Sequence, residues 1–351
     1  MMTLSAGKLW GMRRLADRAG RFKMTAVDQR PPIKDPIRKI RGTAEAPWED
    51  VAGFKALLIE TLQSQSSAML LDPHYAYPAG ISLLDPARGL ILTLEDSRFR
   101  ETEGGRLSAE IDDWSVEKIK RVGGDAVKLL TWYRPDADPG VCRAQQDFTK
   151  RVGEACQCYD IPFVFELLVY PLAADAEQTR DYVEMKTKKP ELVLESVRIF
   201  ADSAYGVDLF KLESPLAAED VPGVGGEDWE ETQRWFDALD EAAGRPWVML
   251  SAGAGMSAFR NILSHAYKAG ASGYLAGRAI WLDAFGAFPD FAAIRADLEN
   301  KALPYMQDLN ALTDREALPF QKHRVYGEKG ARLHPSDASF RHCYPGFGEL
   351  P

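Results

Sequence analysis

Short apolar runs recur along this chain, most of them closed by an acid, a glycine or a proline. Between them lie longer stretches in which apolar residues return every three or four positions. Runs of the first kind predict buried strands, and stretches of the second kind predict amphipathic helices. The pattern predicts strands at 23–28, 68–73, 89–95, 126–132, 162–169, 206–215, 247–251 and 273–278. Helices are predicted over 48–65, 113–122, 141–160, 190–204, 228–243, 257–269 and about 290–300, with a short one near 81–84. The stretch 31–47 holds four prolines and many charges, and reads as a long loop.

Eight strands alternating with helical segments over about 280 residues match the size of a (β/α)8 TIM barrel, an α/β fold. A doubly wound open sheet would carry a glycine fingerprint after its first strand, and Asp28-Gln29-Arg30-Pro31 stands there instead. The expected organisation is a barrel domain over residues 1–300, with a leading segment at 1–22 that forms a short helix. Residues 301–351 are polar, punctuated by prolines and aromatics, and predict an extension packed on the barrel or on a neighbouring subunit of a homo-oligomer.

In such a barrel the reactive groups lie at the C-terminal ends of the strands. Charges set inside apolar strands therefore stand out: Asp28, Asp72, Lys128, Glu166 and Lys211, joined by Ser251 and Arg278. Buried charges need partners, and one shared site supplies them most economically. Two ammonium groups in one site repel, which favours a free amine on one of them, and a free lysine amine attacks carbonyls to form a Schiff base. Glu166 and Asp28 are placed to balance charge and relay protons. A second group, Ser251-Ala252-Gly253-Ala254-Gly255 before a helix together with Gly277-Arg278, suits a phosphate: glycines admit the anion, a helix start offers N–H groups, and arginine adds a forked donor.

Composition narrows the partners. A net charge of -9 argues against nucleic acid or an anionic membrane surface. No apolar run reaches the 18–20 residues or so that a membrane span needs. Four unevenly spaced cysteines build no disulfide framework, and no secretory signal follows the basic start, so a cytoplasmic protein is expected. Five histidines, of which only His74 follows a barrel strand, make a poor zinc ligand set, so no metal is expected.

Taken in order, Ala26-Val27-Asp28-Gln29-Arg30, Leu70-Leu71-Asp72-Pro73, Asp125-Ala126-Val127-Lys128, Pro162-Phe163-Val164-Phe165-Glu166, Phe210-Lys211-Leu212-Glu213, Leu250-Ser251-Ala252-Gly253 and Ala276-Gly277-Arg278-Ala279-Ile280-Trp281 resemble the tagatose 1,6-bisphosphate aldolase family. That group of class I aldolases also includes sulfofructosephosphate aldolases, and the resemblance spans residues 20–300 or so. It implies Schiff-base cleavage of a ketohexose 1-phosphate to dihydroxyacetone phosphate, without a cofactor. It further implies Lys211 as the Schiff-base lysine, Glu166 as the acid/base, Lys128 as a supporting cation and Asp28 as the acid near the substrate hydroxyls. Ser251, Gly253, Gly277 and Arg278 look like the seat of the C1 phosphate.

Other residues carry two readings. Asp72 before Pro73 either starts a turn or contacts substrate hydroxyls, and His74 and Arg30, with Arg98, are candidates for a distal anion. The run Lys186-Thr187-Lys188-Lys189 is a solvated charge run or a further anion grip, and Trp114, Trp235 and Trp281 read as packing residues. In the tail, Tyr326 or Tyr344 is a candidate cover for the active site. A transaldolase using the same lysine and a non-catalytic sugar-phosphate sensor are the competing functions, and the intact lysine–glutamate set counts against the sensor.

Overall fold

A computed structural model describes residues 2–172, 175, 190–333 and 335–347. The run Lys186–Lys189 lies outside the described residues. Eight parallel strands close into a barrel: β1 (Phe22–Ala26), β2 (Ala68–Leu71), β3 (Gly89–Thr93), β4 (Ala126–Trp132), β5 (Phe163–Leu168), β6 (Leu209–Leu212), β7 (Trp247–Met249) and β8 (Gly273–Ala276). Each strand pairs with its neighbour in sequence, and β1 pairs with β8 to complete the ring. The predicted TIM barrel is the fold.

Period-two alternation sorts the side chains of each strand. Val127 and Leu129 on β4, and Phe163, Phe165 and Leu167 on β5, face the surrounding helices in the main apolar core. The opposite faces point into the barrel and stack in layers. Met24, Leu70, Ile91, Ala126, Val164, Leu209, Val248 and Leu275 fill the lower interior. Lys128, Glu166 and Lys211 come next, all within 5% of full burial. Above them sits a second apolar layer of Leu130, Trp132, Leu168, Tyr170 and Leu250. Glu166 is the register partner of Lys211 across β5 and β6, and of Leu130 across β4 and β5.

Three features depart from the pattern-based expectation. The stretch expected as a loop over 31–47 contains a helix, α2 (Pro31–Arg41), which follows α1 (Ala6–Leu15) and precedes α3 (Trp48–Leu62). Pro31 and Pro32 occupy the first turn, where a missing N–H costs nothing, and Ile33 and Ile37, one turn apart, are fully buried. The boundary expected at residue 300 falls within a helical stretch: Phe291–Asp297 runs through a π turn at Leu298–Ala302 into Leu303–Glu316. An antiparallel hairpin, Arg100–Thr102 with Gly105–Leu107, rises after β3.

Both ends of the chain close the N-terminal mouth of the barrel. Leu4, Met12, Leu15, Phe320 and Tyr326 pack under the lower interior layer, and Leu4 bridges to Leu333. Phe320 stacks on Phe22, at the start of β1, with ring centroids 5.4 Å apart. The Gly7 N–H donates to Asp160 and to the Tyr344 hydroxyl at 3.3 Å. Among the described residues the tail therefore does not cover the C-terminal mouth: Tyr326 and Tyr344, candidates for that cover, lie at the opposite end. No described helix is long and apolar enough to cross a membrane.

Candidate active site

Charges on β1, β3, β4, β5 and β6 converge above the lower apolar layer. The Lys128 ammonium lies 3.0 Å from Asp28, 2.5 Å from Glu95 and 2.8 Å from Glu166. The Lys211 ammonium lies 2.9 Å from the same Glu166 oxygen. Two lysines thus meet three carboxylates, and Lys128 is enclosed by acids rather than left to act on Lys211 as a bare like charge. Burial disfavours the charge on Asp28, yet Lys128 and Lys211 outweigh it and hold the carboxyl down to about 2. Glu166 is lowered in the same way, burial opposing and the two lysines prevailing. Both acids are carboxylates at neutral pH.

Glu95 is the member of this cluster that sequence reasoning missed. Its second oxygen accepts the Leu130 N–H at 3.0 Å, and its carbonyl accepts from Arg30 at 2.9 Å. An acid directly after an apolar strand reads as a turn residue, and nothing local marks it as a lysine partner. Gln29, which the sequence marks only as part of a motif, lines the cavity that holds Lys211.

The second constellation joins the first. A narrow cavity of about 20 Å³, the room of roughly one water molecule, is lined by Asp28, Glu166 and Lys211 on one side and Ser251, Gly277 and Arg278 on the other. Ala252 and Gly253 adopt left-handed backbone angles, φ 47° and 75°, turning the chain sharply after β7. A side chain at Gly253 would approach the Arg278 guanidinium to 3.5 Å, which puts that cation directly over the turn. Gly277 precedes the helix Arg278–Phe285, and a Cβ there would lie 2.7 Å from the Ala26 carbonyl. Only glycine fits that approach.

A separate, wider cleft of about 660 Å³ opens over the loops after β1, β2 and β3, with Arg30, Lys34, Arg38, His74 and Arg98 in its wall and no lining residue in common with the Lys211 cavity. Asp35, Glu45, Asp96 and Glu101 line it as well, and Lys34 and Arg38 pair with Glu45 and Asp35 at 3.4 and 3.7 Å. Arg30 differs: it is 5% exposed, and its Nε and Nη1 have no hydrogen-bond partner among the described residues. Burial, helped by Arg30, lowers the His74 pKa, so its ring is neutral at neutral pH.

Asp72 does not reach this space. It is fully buried, ion-paired with Lys55, and accepts the His74 and Tyr75 N–H groups at 3.0 and 2.9 Å. Of its two readings the turn is the one observed, with a buried lysine added that the sequence did not announce. Trp281 is fully buried, its indole N–H on the Ala26 carbonyl at 3.0 Å, and Trp114 and Trp235 pack against the core, as expected. Among the described residues no three His, Cys, Asp or Glu side chains are grouped as a metal site.

Comparison with known proteins follows the same lines. The profile of the DeoC/LacD family aldolases matches residues 23–283. A tagatose 1,6-diphosphate aldolase of Streptococcus mutans is 33% identical over 320 residues, covering 88% of this chain and 96% of that protein. One from Streptococcus pneumoniae is 33% identical over 333 residues, covering 92% and 100%. Among solved structures, an archaeal fructose 1,6-bisphosphate aldolase superposes with a TM-score of 0.56 at 17% identity, over 87% of this chain and 98% of that one. Fructose-bisphosphate aldolase from Plasmodium falciparum gives 0.64 at 14% identity, over 90% and 97%. Profile and relatives together identify the chain as an aldolase belonging to the DeoC/LacD family.

Proposed function

We propose that this aldolase works through a Schiff base on Lys211 and cleaves a ketohexose 1-phosphate that carries a second anion at C6. The observation carrying the first part is the Lys211 amine, 2.9 Å from an ionised Glu166 in the cavity that also holds Ser251 and Arg278. Glu166 takes a proton from Lys211, and the free amine attacks the C2 ketone. Glu166 returns that proton to the carbinolamine hydroxyl, and loss of water leaves a protonated imine. Glu166 then accepts the C4 hydroxyl proton while the electrons of the C3–C4 bond pass into the imine. An aldehyde departs, Glu166 returns its proton to C3 of the enamine, and water hydrolyses the resulting imine to dihydroxyacetone phosphate and the Lys211 ammonium, restoring the starting state. Lys128, held by three acids, keeps Glu166 ionised between proton transfers. Asp28 faces the substrate hydroxyls, and Ser251, Gly253, Gly277 and Arg278 seat the C1 phosphate.

The second part rests on the separate cleft that begins at Arg30, two residues after Asp28. Arg30, in its wall, has two buried donors without a partner among the described residues, and Arg98 and His74 stand in the same wall. An anion at C6, across the barrel mouth from the C1 phosphate seat, would meet them. The relatives' names favour tagatose 1,6-bisphosphate; a C6 sulfonate has the same charge sense and is the other member of the class.

Borohydride reduction in the presence of dihydroxyacetone phosphate and EDTA, read by intact mass and peptide mapping, tests the lysine. A stable adduct on Lys211 is expected, lost in Lys211→Met. No adduct, with cleavage abolished by EDTA, would overturn the Schiff-base reading. Release of dihydroxyacetone phosphate without an acceptor aldehyde separates an aldolase from a transaldolase, and kcat/KM for tagatose 1,6-bisphosphate against the 6-sulfonate sugar ranks the two anions.

A further inference from the structure

The hairpin after β3 is held at both ends. Its base springs from Glu95, the acid on Lys128, and is closed by a Glu95–Glu110 bridge and the Asp96 N–H on the Ala109 carbonyl at 2.8 Å. Its tip is held by Arg106. This side chain is fully buried, and its guanidinium lies over three rings: Phe99 at 4.1 Å and Trp132 and Tyr170 at 4.9 Å each. A buried cation is costly unless its charge is met, and three aromatic faces are among the groups that meet it. The Arg106 N–H also donates to the Tyr170 hydroxyl at 3.0 Å. Gly105, at φ 140°, makes room: a Cβ there would lie 2.3 Å from that hydroxyl.

The rings in this cage belong to two different walls. Trp132 and Tyr170 top the inward faces of β4 and β5, directly above Leu130 and Leu168, which cover Lys128 and Glu166. Phe99 packs on Trp132, ring centroids 5.5 Å apart, and with Arg98 it also forms the edge of the cleft at Arg30. Arg106 therefore couples the apolar roof of the catalytic layer to the wall of the distal cleft, and touches neither Lys211 nor the C1 phosphate seat.

We infer that Arg106 is a positioning residue for recognition of the substrate's C6 anion: clamped between Phe99, Trp132 and Tyr170, it sets where Arg98 and Phe99 stand against that end of the sugar. This rests on the distal-anion reading of the cleft. A loosened clamp moves the cleft wall while the lysines below, fixed by β3, β4, β5 and β6, stay in register. The defect is in recognition of the distal end, and the chemistry at C2 is spared.

The test is the ratio of kcat/KM for tagatose 1,6-bisphosphate to that for tagatose 1-phosphate, which lacks the distal anion. In Arg106→Gln this ratio should fall about tenfold, mainly through the KM of the bisphosphate. Borohydride trapping of dihydroxyacetone phosphate should stay within about twofold of wild type, and Arg106→Lys, which keeps the cation, should restore most of the ratio. Should Arg106→Gln fail to fold by circular dichroism, Phe99→Leu opens the same cage from the cleft side and should lower the ratio about threefold. A ratio unchanged in the folded variant, or an equal loss on both sugars, overturns the inference. A wild-type enzyme that cleaves both sugars equally well overturns the distal-anion reading, and the inference with it.

Discussion

Asp28 shows what one charge is worth in this site. Burial raises its cost, but Lys128 at 3.0 Å and Lys211 nearby hold its carboxyl at about 2, below the ordinary value of 3.8. A depressed acid stabilises the fold fully above its unfolded pKa and loses that contribution as pH falls through its folded one. The drop from 3.8 to about 2 corresponds to about 2–3 kcal/mol. Urea unfolding of wild type and Asp28→Asn should thus differ by about 2–3 kcal/mol at pH 6, and the gap should close between about pH 4 and pH 2. A gap that stays constant to pH 2 would mean that Asp28 is not held ionised by the lysines. Asp28, Lys128, Glu166 and Lys211 were legible because a charge inside an apolar strand is conspicuous in a list of residues. Glu95 was not, since it ends its strand as many turn acids do, and Arg106 was not, since the rings that cage it lie up to 64 residues away in sequence.

At the scale of elements, one buried ion pair helps tie α3 to the ends of β1 and β2. Lys55 on α3 is fully buried, donates to the Val27 carbonyl at 2.8 Å and pairs with Asp72 at the end of β2. Burial pulls its pKa down and Asp72 opposes this. Val27 directly precedes Asp28, so this lysine fixes the backbone from which Asp28 projects. Lys55→Met leaves a carboxylate buried alone and should cost about 3–5 kcal/mol in urea unfolding. Adding Asp72→Asn, whose side-chain oxygen still caps the His74 and Tyr75 N–H groups, should recover part of that loss. A single variant within 1 kcal/mol or so of wild type would mean that the pair is not a structural tie. The sequence pattern finds α3 readily but not Lys55, because a lysine within a helix is ordinarily on its wet side. The same kind of local rule hid α2: counting prolines as breakers overlooked that two of them sit in the first turn and that Ile33 and Ile37 share one face.

For the molecule as a whole, the barrel was legible because eight apolar runs at regular spacing admit few other arrangements. How its lower mouth is closed was not, because that closure joins residues 4–22 to 320–333 through contacts that no local pattern carries. The arrangement separates the closed lower mouth from the candidate site along the barrel axis. Phe320 packs on Phe22 at the start of β1, and six residues of strand and turn, roughly 20 Å at the strand rise, lead from Phe22 to Asp28 in the charge cluster. Removing the Phe320 ring leaves a cavity under the lower apolar layer, and Phe320→Ala should cost about 3–5 kcal/mol. Thermal unfolding should therefore move to clearly lower temperature, while kcat and KM for tagatose 1,6-bisphosphate at 25 °C stay within about twofold of wild type. A raised KM with an unchanged melting temperature would place the tail in substrate binding and contradict the closure at the lower mouth. Because the upper mouth carries the hairpin and Arg106 instead, substitutions at the two ends should move different observables: melting temperature at Phe320, discrimination between mono- and bisphosphate sugars at Arg106.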